Sequence, residues 1–306
     1  MNVVHLLLPD FALILCGYLV CRFTPLNRSV WQPVENLVYY FLFPVLLFHS
    51  IVKSPLELEQ TASLLLAGVG LGLGGIALAY SLPYWPWLGK HIDPRLHAAS
   101  AQVGFRFNSF IALALASQLA GAPGLLMVAM LIGVCVPLFN VAAVWPMARH
   151  AKKSVRRELL RNPLIIGTVC GLSANLLGFS LPAWIEPTFS RIGQAALALG
   201  LLAAGAGLQF GSLATAKLLG VGVLTVKHLA LPLLALGLAL LLQLDATQTT
   251  VLLMFSALPT ASSCYVLAAR MGYDAAHVAG LVTLSTLLGM VSLPFAVGLL
   301  ARWAGG

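Results

Sequence analysis

Apolar stretches long enough to cross a lipid bilayer follow one another along this chain with almost nothing between them. A crossing helix needs about 20 such residues. Runs of that length lie near residues 3–22, 32–52, 61–82, 95–120, 123–147, 163–180, 184–210, 215–243, 247–271 and 275–301. Lipid offers no hydrogen-bond partners to an exposed backbone, so each run has to be helical. A chain that is 60% hydrophobic and 8% charged cannot clothe an ordinary water-facing surface either. The expected fold class is an all-α polytopic membrane protein with ten transmembrane helices. The first run has no positive flank and no small-residue cleavage pattern, and reads as helix one, not as a leader.

Orientation follows from where Lys and Arg fall, because short loops rich in them stay in the cytoplasm. With the N-terminus outside, Arg22, Arg28, Lys90, Arg95, the basic run from Arg149 to Arg161, Lys217 and Arg270 all lie inside. Only Lys53 and Arg302 then fall outside. The expectation is ten crossings of the cell inner (plasma) membrane with both termini outside. The net charge of +8 then faces anionic headgroups and requires no nucleic-acid partner. The five cysteines lack metal-like spacing and read as small buried hydrophobes. Glu186, Asp245 and Asp274 fall at span ends and read as solvated caps.

Two of the runs are interrupted near their middle, at matching places in the two halves. The first interruption reads GFRFNSFIA from Gly104 to Ala112, and the second FSALPTASSCY from Phe255 to Tyr265. One offset aligns Asn108 with Pro259 and Gly121 with Gly272. Five crossings per half make the second half enter from the opposite side, so the repeat is inverted. The halves are expected at 1–150 and 151–306, with the basic linker as boundary. Helices four and nine would be the broken, crossing pair. Pro259 removes a backbone donor, while Asn108, Ser109, Thr260, Ser262 and Ser263 can replace lost hydrogen bonds or hold a ligand. Helix N-terminal ends exposed at such breaks favour an anion.

Two cations stand where charge is expensive. Arg106 and Lys227 lie near the middle of their spans, where insertion costs about 2.5–3.5 kcal/mol. No Asp or Glu lies at comparable depth in the sequence to neutralise them. A small organic anion would supply the missing partner. The alternative is that Arg106 donates to carbonyls freed at the break and that Lys227 snorkels or is deprotonated. His228, on a different face from Lys227, reads as a packing residue. Asp10, behind Pro9 in the first span, is the candidate proton or ion carrier, with an interfacial cap as the other reading. No cofactor or metal is expected, and any coupling would be to H+ or Na+. A GxSxG elbow, an HExxH helix and paired intramembrane aspartates are all missing, which argues against an enzyme.

These residues resemble the auxin efflux carrier family, whose bacterial members include permeases for malate and malonate. The matching pieces are LPDFALILCGYLVCR (Leu8 to Arg22), ENLVYYFLFPVLLFHSI (Glu35 to Ile51), FRFNSFIALAL (Phe105 to Leu115), VKHLALPLLAL (Val226 to Leu236) and ALPTASSCYVLAARMG (Ala257 to Gly272). The resemblance implies a scaffold of helices one, two, six and seven that also forms a homodimer interface. It implies a moving transport domain of helices three to five and eight to ten, with substrate where helices four and nine cross. The plant carriers have a proline at the first break, where this chain has Asn108 and Ser109. The leading expectation is elevator-like transport of a carboxylate. A bile acid:sodium symporter-like carrier would place clustered Glu, Gln and Asn beside the breaks, and a membrane receptor would bind without flux.

Overall fold

The computed structural model describes residues 3–53, 58–86, 89–150, 163–208, 217–261 and 263–300. Among these residues the regular structure is helix alone. In chain order the main helices are α1 (Val3–Phe23), α2 (Arg28–Lys53), α3 (Leu58–Ser81), α4 (Pro94–Phe105), α5 (Ser109–His150), α6 (Pro163–Leu176), α7 (Glu186–Ala206), α8 (Lys217–Leu241), α9 (Ala246–Ala257), α10 (Ser263–Arg270) and α11 (Ala275–Phe295). Among the described residues, five helices are long and apolar enough to cross a membrane by themselves: Arg28–Lys53, Ala62–Tyr84, Met127–Ala148, Lys217–Leu241 and Ala275–Gly298. Most of the basic run, residues 151–161, lies outside the described residues, as does Arg302.

Helix ends fall where the local chemistry puts them. Asp93, Asp245 and Asp274 each accept backbone N–H bonds at the start of α4, α9 and α11, which satisfies donors with no partner inside the helix. At 1.5 Å per residue α5 would extend roughly 63 Å, about twice the hydrocarbon thickness. It cannot be one straight rod. Gly121 breaks it with φ +60° and ψ −147°, a backbone region that L side chains rarely adopt. Gly272, its partner in the repeat alignment, has φ +78° in the turn between α10 and α11. That turn is pinned: Tyr273 donates its hydroxyl to the Met147 carbonyl at 2.9 Å, and the Arg95 guanidinium donates to the Gly272 carbonyl at 3.1 Å. Burial pushes the Tyr273 phenol above its usual value, so the donor keeps its proton.

Two wide π turns, Val38–Leu42 in α2 and Val226–Ala230 in α8, stand just ahead of Pro44 and Pro232. A proline inside a helix lacks the N–H and crowds the carbonyl four residues back. Here those carbonyls belong to Tyr40 and His228, inside the π turns. Opening the turn relieves the crowding.

Small residues let backbones meet. A Cβ on Gly17 of α1 would overlap the Leu202 carbonyl of α7, and one on Gly205 of α7 would overlap the Ile14 carbonyl of α1. In the same way Gly167 and Gly171 of α6 seat against Pro44 and Phe48 of α2. Close approach through small residues is the way helices associate in lipid, where apolar burial gives little drive. The largest buried cluster runs mainly through α3, α4, α5, α8, α9, α10 and α11. Two smaller ones join α2 to α7, around Leu42 with Ala196 and around Trp31 with Ala203.

Candidate functional site

Helix α4 stops at Phe105 and α5 begins at Ser109; α9 stops at Ala257 and α10 begins at Ser263. Arg106 and Leu258, the first residues of the two breaks, are extended, with ψ of 157° and 141°. The breaks meet: the Asn108 N–H donates to the Pro259 carbonyl at 2.8 Å. The Thr260 hydroxyl lies 2.6 Å from the Val103 carbonyl and 2.9 Å from that of Arg106. The Gln102 amide donates to the Cys264 carbonyl at 3.1 Å. Asn108 caps α5, its side chain accepting from the Ile111 N–H at 3.3 Å. Backbone freed from a helix at membrane depth must find such partners, and here each break supplies them to the other. Around them Phe107 packs on Phe255 with ring centroids 4.3 Å apart, and Pro259 fills the space a side chain on Gly289 would need.

A cavity partly open to the surroundings lies on one side of this junction. Its polar edge is Arg106, Asn108, Ser109, Asn140 and Ser263; its apolar wall includes Phe43, Leu46 and Leu47 of α2 and Gly200 of α7. That make-up suits a small ligand held by few polar groups. Ser109 and Ser263 are the first residues of α5 and α10. Two helix N-terminal ends therefore open onto the cavity, each carrying partial positive charge.

Arg106 is 6% exposed. Its guanidinium donates to Gln102 Oε1, Asn140 Oδ1 and Ser263 Oγ, each at 3.0 Å. All three acceptors are neutral. The ion pairs among the described residues are Arg28 with Glu35, and Glu186 with Lys53 and His49, none of them at Arg106. Neutral hydrogen bonds orient the cation without cancelling its charge. An anion about 4 Å away would gain roughly 4 kcal/mol at an effective dielectric of 20, comparable with the cost of burying the cation. The Asn140 amide nitrogen, buried in α5, has no hydrogen-bond partner among the described residues. Such an orphan donor beside a cation, on a cavity wall, is suited to donate to an oxygen of a ligand.

The candidate residues do not all converge. Arg106, Asn108, Ser109 and Ser263 line the cavity. Pro259 and Thr260 hold the two breaks together behind it. Lys227, 1% exposed, is not among the cavity's lining residues. Ser262 lies outside the described residues, and so does the Asp10 side chain, whose backbone is part of α1. Two participants, Gln102 and Asn140, escaped the sequence reading as site residues. Gln102 sits one turn before Arg106, so its role as an acceptor was within reach of helical spacing. Asn140 lies deep in an apolar run with no local mark. Among the described residues no three His, Cys, Asp or Glu side chains are grouped to hold a metal ion.

Comparison with known proteins fits this architecture. The model of a family described as "Membrane transport protein" matches residues 90–297, a stretch that contains both breaks. A protein of Rhizobium meliloti (strain 1021) named "Putative malonate transporter" is 25% identical over 321 aligned positions, covering 95% of this chain and 94% of its own length. The chain is thus a transporter and not an enzyme, embedded in a bilayer by its apolar helices. It belongs to the auxin efflux carrier family of membrane transport proteins, as a member of the bacterial kind.

Proposed function

We propose that this protein is a secondary transporter of small organic carboxylates, malonate among them, and that the carboxylate binds in the cavity beside Arg106. The observation that carries the reading is a buried cation whose described partners are all neutral, on the wall of a cavity. The orphan Asn140 donor and the helix N-terminal ends at Ser109 and Ser263 add hydrogen bonds of the sign an anion needs. The name of the Rhizobium relative supports malonate as the first substrate to try.

The transmembrane arrangement proposed is ten crossings, in which α4 with the start of α5, and α9 with α10, each make one interrupted crossing. The halves 1–150 and 151–306 are inverted repeats, and both termini lie outside. Transport proceeds by elevator-like motion of α3–α5 and α8–α11 against a scaffold of α1, α2, α6 and α7, through which two copies associate. The close backbone contacts of α1 with α7 and of α2 with α6 support a rigid scaffold. Because the cavity is walled by α2 and α7 on one side and the breaks on the other, sliding one group past the other would carry a ligand with it.

The test is uptake of radiolabelled malonate, malate and indole-3-acetate into proteoliposomes under imposed proton and sodium gradients. Wild type is compared with Arg106→Ala and Lys227→Ala, with folding followed by gel filtration. Malonate uptake that Arg106→Ala abolishes in folded protein is the expected result, and the gradient that drives it names the coupling ion. Saturable binding with no flux of any of the three would make the protein a receptor and overturn the transport reading.

A further inference from the structure

The imidazole of His228 sits in the π turn of α8, between two serines of α11. Its Nδ1 lies 2.8 Å from Ser292 Oγ and its Nε2 lies 2.9 Å from Ser285 Oγ. Both serines have a second partner at the break between α9 and α10. Ser292 Oγ donates to the Ala257 carbonyl at 3.2 Å, and Ser285 Oγ accepts from the Thr260 N–H at 3.0 Å. Ala257 is the last residue of α9, so its carbonyl has no partner within the helix. Thr260 lies in the break itself, and its N–H is likewise without a helical partner.

A serine hydroxyl has one hydrogen to give and two lone pairs to receive with. Ser292 spends its hydrogen on Ala257, so it must accept from His228, which places an imidazole proton on Nδ1. A neutral imidazole then has a bare Nε2, and the Ser285 hydroxyl, which accepts from Thr260, has its hydrogen to give there. A second imidazole proton, on Nε2, would face that hydrogen. The Thr260 side chain continues the chain of bonds to the Arg106 carbonyl at 2.9 Å.

We infer that His228 is a positioning residue for Arg106: held as the neutral Nδ1–H imidazole, it fixes the second break through Ser285 and Ser292, and Thr260 passes that fixation to the backbone of Arg106. The inference rests on the transport reading only for its effect on substrate affinity. The widened turn ahead of Pro232 gives it a local cause, since a regular helix there would crowd the His228 carbonyl.

The experiment uses the full-length protein in lipid nanodiscs, labelled with ¹⁵N-histidine and ¹⁵N-arginine. His228 is assigned by the resonances lost in His228→Gln, a change that keeps an acceptor within reach of Ser285. At neutral pH the expected spectrum shows Nδ1 protonated and Nε2 bare. An Nε2–H tautomer or an imidazolium would overturn the assignment. In Ser285→Ala the Nε2 resonance and the Arg106 guanidinium signals both move, and the KM for malonate uptake rises about tenfold, the factor carried by one lost buried hydrogen bond. Arg106 signals that stay put, or an unchanged KM, would reduce His228 to packing. Should wild-type protein not carry malonate, the transport reading fails, whereas the tautomer and the arginine signals still decide this one.

Discussion

Arg106 and Lys227 look alike in the sequence, each a lone cation near the centre of an apolar run, yet they have different surroundings. Hydropathy reports how deep a residue lies and says nothing about which way it faces. Arg106 faces a cavity and three neutral acceptors; Lys227 is buried and does not line that cavity. The partner that matters most to Arg106 was not readable in the sequence, because Asn140 lies 34 positions away and only tertiary packing brings the two together. If the site lacks a negative charge, supplying one internally should satisfy it. Asn140→Asp places a carboxylate about where the amide oxygen now accepts from Arg106. The expected outcome is a KM for malonate raised about tenfold or more, the protein's own carboxylate having taken the place of the ligand's. Thermal unfolding in detergent should meanwhile stay level or shift upward. A fall in stability with unchanged KM would show that Arg106 is compensated elsewhere.

At the scale of elements the breaks were the readable part of the site, since polar residues and a proline inside an apolar run free backbone groups that lipid cannot satisfy and a lined cavity can. Their lengths were not readable, and neither was the way each satisfies the other's backbone. The first break forms without any proline: Arg106 is extended, and Asn108 caps the next helix in place of a ring. The second depends on a fit between α11 and the proline ring, for a Cβ on Gly289 would come 2.5 Å from Pro259 Cγ. Gly289→Ala should therefore destabilise the protein by about 1–3 kcal/mol, as overpacking does. In the double variant with Pro259→Ala, where the ring is gone, most of that penalty should vanish. A double-mutant cycle by thermal or denaturant unfolding reads the coupling directly. Strict additivity would mean that the ring and the glycine do not meet.

In the whole molecule, one group of polar side chains links elements proposed to move to elements proposed to stay still. Arg270 of α10 donates to Asn36 of α2 at 3.1 Å and lies over the rings of Tyr39 and Tyr40, 4.7 and 4.1 Å from their centroids. Beside it Arg28 pairs with Glu35 and lies 5.4 Å over the Tyr265 ring. An exposed contact such as that of Arg270 with Asn36 contributes about 1 kcal/mol or less, small enough to break and reform in every cycle. In a variant stripped of the five native cysteines, Asn36→Cys with Arg270→Cys joined by a short bismaleimide should lose malonate uptake, while the unjoined pair keeps it. Uptake that survives joining would show that α2 and α10 travel together. The backbone-to-backbone bond between the two breaks has a consequence of its own. It consists of one N–H and one carbonyl, so one half of the molecule must give and the other must receive. Pro259, having no N–H, can only receive, and Asn108 must then be a residue that can give. In this chain the proline stands on the receiving side of the bond and a residue with an N–H on the giving side, so the two halves differ at the very bond that joins them.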